Sequence, residues 1–342
     1  MTTTNADIND ARPTVMEHFV GQQSVVDRIR VALEASWRDG TRLPHMLFTG
    51  QPGLGKTELA SLLARETGSR IIEQLAQNLG SPAAMQGFLL EGEDRDILFI
   101  DEVHELPSFA QTTLYRALEE GRLFLPHSSL KPGPPKVIQL SSFTLIASTT
   151  DQYALLSPLI ARFKIVARLS KYSPADLSVM LTHRCNKLRW STEPGVIDAI
   201  AQRGRGTPRR VLTLLESVYR YSRADGADLM TWDHFRATCC LEGIDHAGLN
   251  ESEQQYLRLL ESKDGPVRLN VIAARLGIPP RTVQQVLEAD LIEEGLVDKL
   301  SNGERQITSK AIRHLSLEDT NESDHGPGVR ELATDGDSND RC

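Results

Sequence analysis

The sequence of 342 residues is poor in the features that mark secreted, membrane or metal-stapled proteins. Its four cysteines, Cys185, Cys239, Cys240 and Cys342, match neither a metal-site spacing nor a disulfide framework. No run approaches the roughly 18 consecutive apolar residues of a membrane span. The first ten residues are polar and slightly acidic, unlike a secretory or transit peptide. We therefore expect a cytoplasmic protein with reduced cysteines and no membrane partner.

Positive charge is also in short supply, with 38 lysines and arginines against 46 acids and a net charge of −8. Spread evenly, this balance would argue against a nucleic-acid partner. However, residues 316–342 hold eight acids and two arginines, a net of −6, and almost no large apolar residues. We predict that this segment is an acidic disordered tail, which leaves the rest of the chain nearly neutral.

One segment departs from this ordinary background through its glycine spacing. Residues 50–57 read Gly-Gln-Pro-Gly-Leu-Gly-Lys-Thr, which fits the pattern G-x-x-x-x-G-K-T. A short apolar run at residues 46–49 precedes the segment, and residues 58–65 have the apolar spacing of a helix. Strand, glycine loop and helix in this order favour a phosphate-binding loop over a glycine-rich turn that happens to end in Lys-Thr.

The residue types in this loop suit a nucleoside triphosphate. Gly50, Gly53 and Gly55 allow the backbone to curl and to turn its N–H groups towards phosphate. The N-terminus of the following helix attracts the same charge. We predict that Lys56 reaches the β- and γ-phosphates and that the Thr57 hydroxyl binds Mg²⁺.

A second motif supplies two adjacent carboxylates. The apolar run at residues 97–100 is typical of a strand buried on both faces, and it ends at Asp101 and Glu102. Alone, these could be solvated acids at a strand end. Behind a phosphate-binding loop they indicate that Asp101 holds Mg²⁺, through water, and that Glu102 polarises the attacking water. His104 either reports on nucleotide state or is an ordinary polar loop residue.

Periodicity divides the chain into three regions. Strands and helices alternate over the first 165 residues, which predicts an α/β domain with a largely parallel sheet. Two short strands around a Pro/Gly-rich loop predict a hairpin inserted at residues 121–140. Residues 174–243 have only helical patterns, at 174–189, 194–203, 208–224 and 231–242, with no strand.

The region from residue 250 to 315 has a different pattern. A helix at residues 251–262 precedes an apolar helix, a Gly-Ile-Pro turn and a second helix from Pro280 to about Glu294. Two short strands, at residues 296–300 and 306–308, then flank a polar turn. This order predicts a winged helix that binds DNA, or a protein-interaction module of the same fold.

At this point the chain resembles one family, RuvB, whose members are AAA+ motors that drive Holliday-junction branch migration. The similarity runs from about Arg12 to Leu315. The segments that carry it are Arg12-Pro13, Val20-Gly21-Gln22, residues 50–57, residues 98–104, residues 143–146, Thr149-Thr150, Ser157-Pro158-Leu159, Arg162-Phe163 and residues 205–209.

The resemblance implies an α/β AAA+ P-loop NTPase core with a largely parallel sheet, a helical lid domain and a C-terminal winged-helix domain. The predicted bounds are 1–11 for a disordered leader, 12–170 for the ATPase domain with the hairpin at 121–140, 171–245 for the lid, 246–315 for the winged helix and 316–342 for the acidic tail.

The resemblance also implies roles for residues that spacing alone leaves undefined. Thr150 corresponds to a sensor near the γ-phosphate, Arg162 to an arginine finger that enters the neighbouring subunit's site, and Arg209 to a lid arginine. The predicted catalytic set is Lys56, Asp101, Glu102, Thr150, Arg162 and Arg209. The predicted nucleotide-binding set is Arg12, Phe19, Val20, Gly50, Gly53, Leu54, Gly55, Lys56, Thr57, Glu58, Tyr172, Pro208 and Arg209.

The partners implied by the resemblance follow from the same family. ATP and Mg²⁺ occupy the nucleotide site, and six copies form a ring on duplex DNA at a four-way junction. The hairpin at residues 121–140 docks on RuvA, the junction-binding partner. Lys299 and Arg305 correspond to wing residues that contact DNA phosphate.

Several positions depart from the family pattern. Glu58 replaces a threonine and puts an acid beside the phosphates, and Asp151 replaces an arginine. The wing turn at residues 301–305 is nearly neutral where the family is arginine-rich, which predicts weaker phosphate contacts. These departures fit a divergent paralogue as well as the housekeeping motor.

Two other functions are compatible with the motifs. The first is a clamp-loader-like AAA+ ATPase, although the Ala161-Arg162-Phe163 sequence and the winged helix argue against it. The second is a nucleotide-switched protein that recruits repair factors and has little motor activity, which the neutral wing, Asp151 and Glu58 favour.

Overall fold

The computed structural model describes residues 8–125, 136–263 and 265–324. The chain divides into two compact units, Met1–Thr238 and Cys239–Cys342. The first unit contains the predicted ATPase core and most of the predicted lid, and the second contains the predicted winged helix. None of the helices in the described part of the chain is long and apolar enough to cross a membrane.

A five-stranded parallel sheet forms the centre of the first unit, in the order β2-β3-β6-β1-β7. The strands are β1 (Met46–Thr49), β2 (Ile71–Leu75), β3 (Ile97–Asp101), β6 (Thr144–Thr149) and β7 (Ile165–Arg168). The predicted parallel sheet is therefore confirmed. Every residue of β1 and β6 is buried, as expected of apolar strands covered on both faces. The edge strand β7 was not predicted.

The register of the sheet brings three functional segments to one edge. Thr49 pairs with Thr149, and Ile100 pairs with Ala147 one residue before the strand β3 ends at Asp101. Because parallel strands end at the same edge, the glycine loop, the acid pair and Thr150 emerge side by side. The α-helices that accompany these strands along the chain are α1 (Gln23–Asp39), α2 (Lys56–Thr67), α3 (Pro82–Glu91), α4 (Ser108–Glu120) and α5 (Ser157–Ile160).

The predicted hairpin begins directly after α4, which ends at Gly121 with a left-handed backbone (φ 62°). Strands β4 (Arg122–Leu125) and β5 (Lys136–Gln139) pair antiparallel, so that Phe124 faces Val137. The tip of the predicted hairpin, residues 126–135, lies outside the described residues.

The lid contains four helices at the predicted places, α6 (Pro174–Leu188), α7 (Val196–Arg203), α8 (Pro208–Ala224) and α9 (Trp232–Leu241). The prediction that this region has no strand is wrong. Ser191–Thr192 (β8) pairs in parallel with Leu229–Met230 (β9). Strands of two residues are too short to produce a hydrophobic period.

The second unit has the helix-turn-helix and wing order predicted for its sequence. Its sheet has the order β10-β12-β11, and the strand β10 was not predicted. The elements are α10 (Glu251–Glu261), β10 (Val267–Arg268), α11 (Leu269–Leu276), α12 (Pro280–Thr282), a π-helical segment (Val283–Leu287), α13 (Glu288–Glu293), β11 (Val297–Lys299), β12 (Glu304–Ile307) and α14 (Ser309–Asp324).

Regular structure extends into both segments that were predicted to be disordered. Ile8–Ala11 forms a turn of 3-10 helix in which Ile8 and Ala11 are buried, and the Ile8 carbonyl accepts a hydrogen bond from Arg184. At the other end, α14 continues helically to Asp324, well past the predicted start of the tail at residue 316. Helical structure at residues 8–11 and 316–324 therefore lies within segments whose polar composition predicted disorder.

Candidate nucleotide site

The glycine loop between β1 and α2 has a backbone that only glycine adopts without strain. Gly50 and Gly53 have φ values of 143° and 79°. A Cβ on Gly50 would lie 2.5 Å from the Leu169 carbonyl oxygen, and one on Gly53 would lie 3.0 Å from side-chain atoms of Thr207 and Arg209. The glycines thus allow the loop to lie against both the sheet edge and the lid.

Lys56 begins α2 and is 6% exposed. Its Nζ donates to the carbonyls of Gly50 at 2.8 Å and Gln51 at 3.0 Å, so the loop itself holds the cation. Burial lowers the pKa of Lys56, while the nearby carboxylates of Glu102 and Asp101 act in the opposite direction. A buried cation inside a glycine loop is suited to phosphate.

The acid pair has a supporting hydroxyl that the sequence did not reveal. Ser148, fully buried on β6, donates to Asp101 Oδ1, and the Glu102 N–H donates to the same oxygen at 3.1 Å. The Thr57 hydroxyl lies 3.5 Å from Asp101 Oδ2. Thr57 and Asp101, the two predicted Mg²⁺ ligands, are therefore neighbours with oxygen donors, the ligand type that Mg²⁺ prefers.

Glu102 is strained and firmly held. It has a left-handed backbone, φ 51° and ψ 49°, although it is not glycine. Its Oε2 accepts from the Thr150 N–H at 3.2 Å and from the Thr150 hydroxyl at 3.1 Å. His104 Nδ1 lies 3.2 Å from the same oxygen and 3.1 Å from the Thr149 hydroxyl. The predicted base, the predicted sensor and His104 thus form one cluster.

The loop, the acids and the lid surround a cavity of about 1080 Å³. Tyr172 and Arg209 join the loop to the lid, because the Tyr172 hydroxyl donates to the Leu54 carbonyl at 3.2 Å and the Arg209 N–H donates to the Gly53 carbonyl at 3.3 Å. Burial raises the pKa of Tyr172 to about 12, so its hydroxyl stays protonated and donates. The predicted residues that line the cavity are Arg12, Phe19, Val20, Gly53, Gly55, Lys56, Thr57, Glu58, Asp101, Glu102, Tyr172, Pro208 and Arg209.

Glu58 lies in this cavity with cations beside it. Its Oε2 is 3.6 Å from Arg12 Nε. Arg184 of α6 is also within electrostatic reach, since Glu58 raises its pKa against the larger lowering effect of burial. The negative charge of Glu58, which the sequence predicts beside the phosphates, is thus partly neutralised by Arg12 and Arg184. Neither Arg184 nor Lys187, which also lines the cavity and donates to the Arg12 carbonyl at 3.1 Å, was predicted.

Asp151 has a local structural role. Its Oδ1 accepts from the N–H groups of Tyr153 at 3.0 Å and Ala154 at 3.3 Å, so it caps the short 3-10 turn that follows β6. The Asp151 carboxylate therefore stabilises the backbone of its own chain.

Arg162 is not among the described residues that line the cavity. Its guanidinium lies 2.6 Å from Glu119 at the end of α4. This placement contrasts with that of Arg209, which lines the cavity of its own chain.

The two predicted DNA-binding residues differ in their surroundings. Lys299 is exposed at the end of β11. Arg305 is 4% exposed, and its Nε and NH2 groups donate to the two oxygens of Glu288 at 2.8 and 2.9 Å. The assignment of Arg305 to phosphate binding is wrong, because its guanidinium is buried and bound inside the winged helix.

A parallel sheet, a glycine loop with a buried lysine, an acid pair and a lid arginine around one cavity define a P-loop ATPase of the AAA+ class. Two family models match the chain: "Holliday junction DNA helicase RuvB P-loop domain" over residues 11–169 and "RuvB C-terminal winged helix domain" over residues 246–316. The chain belongs to the RuvB family.

Individual relatives agree with these models over most of the chain. The sequence is 35% identical over 318 residues to the Holliday junction branch migration complex subunit RuvB of Methanoregula boonei, covering 92% of this chain and 94% of that one. It is 35% identical over 306 residues to subunit RuvB 2 of Synechococcus sp. (strain JA-3-3Ab), covering 89% and 82%. The Thermotoga maritima RuvB Holliday junction branch migration motor superposes with a TM-score of 0.78 and 32% identity, over 90% of this chain and 98% of that one.

Proposed function

We propose that this chain is an ATP-hydrolysing motor subunit that drives branch migration of Holliday junctions. One observation carries the proposal: Lys56, the Asp101–Glu102 pair and the lid residue Arg209 line a single cavity. A site shared by core and lid can link the occupancy of the nucleotide to movement of the lid. Membership of the RuvB family connects that movement to DNA.

Each residue of the site has a separate role in the proposed hydrolysis of ATP. The glycine loop and Lys56 would hold the phosphates. Thr57, and Asp101 through water, would hold Mg²⁺, which would supply charge neutralisation at the transferring phosphoryl group. Glu102 accepts the proton of the attacking water. Thr150 donates two hydrogen bonds to its carboxylate, and His104 lies beside it.

We further propose that the working assembly is a homohexamer. The position of Arg162 supports assembly, because the cavity of its own chain is lined without it and the resemblance to RuvB assigns it to the site of a neighbour. The number of six subunits is the one that the same resemblance implies. Each subunit would then complete the site of the next one around the ring.

The DNA and protein partners are proposed from the surface of each unit. Lys299 is the predicted phosphate contact that stays exposed, and the substrate is the four-way junction with its duplex arms. The hairpin presents Phe124 and Val137, opposite each other and 40% and 47% exposed, as an apolar patch for a RuvA-type junction-binding protein. We propose that this complex works in the cytoplasm.

A second candidate function is favoured by the wing. Arg305 is buried and bound to Glu288, whereas Arg268 stays exposed at the surface and its charge is partly offset by Glu304 at 3.2 Å. Weak contact with phosphate suits a nucleotide-switched regulator that binds a repair protein and moves DNA poorly.

The experiment that tests the proposed activity is steady-state ATP hydrolysis by the purified protein, alone and with a synthetic four-way junction plus a RuvA-type protein. The motor predicts hydrolysis that the junction complex stimulates and that Lys56→Ala abolishes. Hydrolysis that is indifferent to the junction would favour the regulator. The absence of Lys56-dependent hydrolysis would contradict both functions.

A further inference from the structure

Arg162 is held by a single acid at the end of α4. Its NH2 lies 2.6 Å from Glu119 Oε1, and the two side chains are 32% and 49% exposed. The Arg162 Nε is buried without a hydrogen-bond partner among the described residues. One side of the guanidinium is therefore enclosed by protein, and a carboxylate holds one of its two terminal amino groups.

The segment that carries Arg162 is tied to α4 at its other end as well. Gln111, 3% exposed, accepts the Leu156 N–H at 2.9 Å and donates to the Leu106 carbonyl at 3.1 Å. Leu159 on α5 is fully buried in the same core. Helix α4 thus fixes the backbone that precedes Arg162 through Gln111, and the side chain of Arg162 through Glu119.

We propose that Glu119 is a positioning residue that orients Arg162 for the site of the neighbouring subunit. An arginine has several rotatable bonds, and an ion pair to one amino group selects among its rotamers. The second amino group keeps donors for phosphate oxygen. The inference rests on the proposed function, because it requires that Arg162 acts in trans.

Helix α4 also links the two ends of this arrangement. It starts soon after the Asp101–Glu102 pair and ends at the hairpin, so one helix connects the acid pair of a subunit's own site with the arginine offered to the next site. A shift of α4 would reach the backbone before Arg162 through Gln111 and the Arg162 side chain through Glu119.

The first test compares Glu119→Ala and Glu119→Gln with a matched control, Glu91→Gln. Glu91 is 47% exposed and pairs with Arg70 at 2.9 Å, away from the cavity. We expect Glu119→Ala to lower kcat roughly tenfold, a small part of the 10³–10⁵ that an arginine finger supplies, with KM for ATP unchanged. Glu119→Gln should recover part of the loss because its amide oxygen still offers a polar partner at the same place, and Glu91→Gln should match the wild type.

The second test locates the effect in a mixed ring. In a mixture of Arg162→Ala and Lys56→Ala subunits, only the Arg162→Ala subunits can hydrolyse ATP, and only the Lys56→Ala subunits supply the arginine. Adding Glu119→Ala to the Lys56→Ala subunit should lower hydrolysis by the same factor. Adding it to the Arg162→Ala subunit should leave hydrolysis unchanged, and light scattering checks that all mixtures assemble.

Three outcomes would overturn the role of Glu119: an increase in kcat, no change in kcat, or a loss that appears whichever subunit carries the substitution. Failure of the underlying function gives a different result. If Arg162→Ala alone hydrolyses ATP normally, Arg162 is not a finger; if it is inactive while Glu119→Ala is normal, the finger remains and only the positioning role is lost.

Discussion

At the scale of single residues, the site is organised around Glu102 and its two neighbours. Thr150 holds the carboxylate with two hydrogen bonds and His104 lies beside it, while Ser148 fixes the adjacent Asp101. The motif predicts the two acids because their order after an apolar strand is specific. Ser148 and Arg184 carry no such signal, since a serine inside a strand and an arginine inside a helix are ordinary residues until the fold brings them to the cavity.

Glu102→Gln tests the assignment of the base. The amide keeps the size and the hydrogen-bonding reach of the side chain but does not accept a proton from water, so we expect kcat to fall by about 10²–10⁴. Affinity for ATP, measured with a fluorescent analogue, should be retained because the glycine loop and Lys56 are intact. Hydrolysis at the wild-type rate would remove Glu102 from this role.

His45 predicts a pH dependence of stability. Burial and the nearby Arg42 lower its pKa from 6.5 to about 3, and its Nδ1 accepts the Leu145 N–H at 2.8 Å. Between pH 6.5 and 3 the unfolded chain binds more protons at this site, so the contribution of His45 to stability is present above pH 6.5 and is lost as the pH falls. The slope from this group approaches about 1.4 kcal/mol per pH unit.

The measurement is thermal unfolding between pH 7 and 5 for the wild type and for His45→Asn, which keeps an acceptor at the same place. The variant should lose less stability than the wild type over this interval. Parallel pH profiles would show that His45 titrates equally in both states, against the expectation from its burial.

At the scale of elements, long apolar runs were predictable and short strands were not. β1, β3 and β6 each contain a run of apolar residues next to a diagnostic motif, so their positions and their parallel direction could be predicted, but their order in the sheet was not. β8, β9 and β10 have two residues each, and only tertiary pairing defines them. The clearest error was in the wing, where Arg305 was predicted to contact DNA phosphate but is buried inside the fold.

Glu288→Gln tests this internal role of the wing arginine. Glu288 accepts from Arg305 and from the Tyr256 hydroxyl, and all three side chains are buried. Removal of the carboxylate charge leaves a buried guanidinium poorly compensated, so we expect a loss of about 3–5 kcal/mol in the stability of the second unit.

Lys299→Ala is the matched surface variant for this experiment. It should lower DNA affinity at low salt while leaving the denaturation midpoint unchanged. The account of the wing would be wrong if Glu288→Gln were as stable as the wild type and Arg305→Ala lost only DNA binding.

At the scale of the whole molecule, the total net charge was a poor guide to a DNA partner until the charge was counted separately for each segment. The net charge of −8 argues against a DNA partner, yet residues 316–342 account for −6 of it. The proposed assembly could not be predicted from composition or hydrophobic periodicity, because it depends on Arg162, a charged residue that lies outside the cavity of its own chain.

The hairpin gives a prediction about partnership. Phe124→Ser with Val137→Ser removes the exposed apolar pair without touching the cavity, so basal hydrolysis should stay at the wild-type level. Stimulation by a RuvA-type protein on a four-way junction should be lost. If stimulation survives while direct binding of that protein to the ATPase is also unchanged, the hairpin is not the docking surface.

The most direct test of the motor is dissociation of a labelled four-way junction into two duplexes, followed with the wild-type protein, ATP, Mg²⁺ and a RuvA-type partner. The account predicts dissociation that requires hydrolysis and disappears with Lys56→Ala and Glu102→Gln. An intact junction in the presence of rapid, junction-stimulated ATP hydrolysis would contradict the motor.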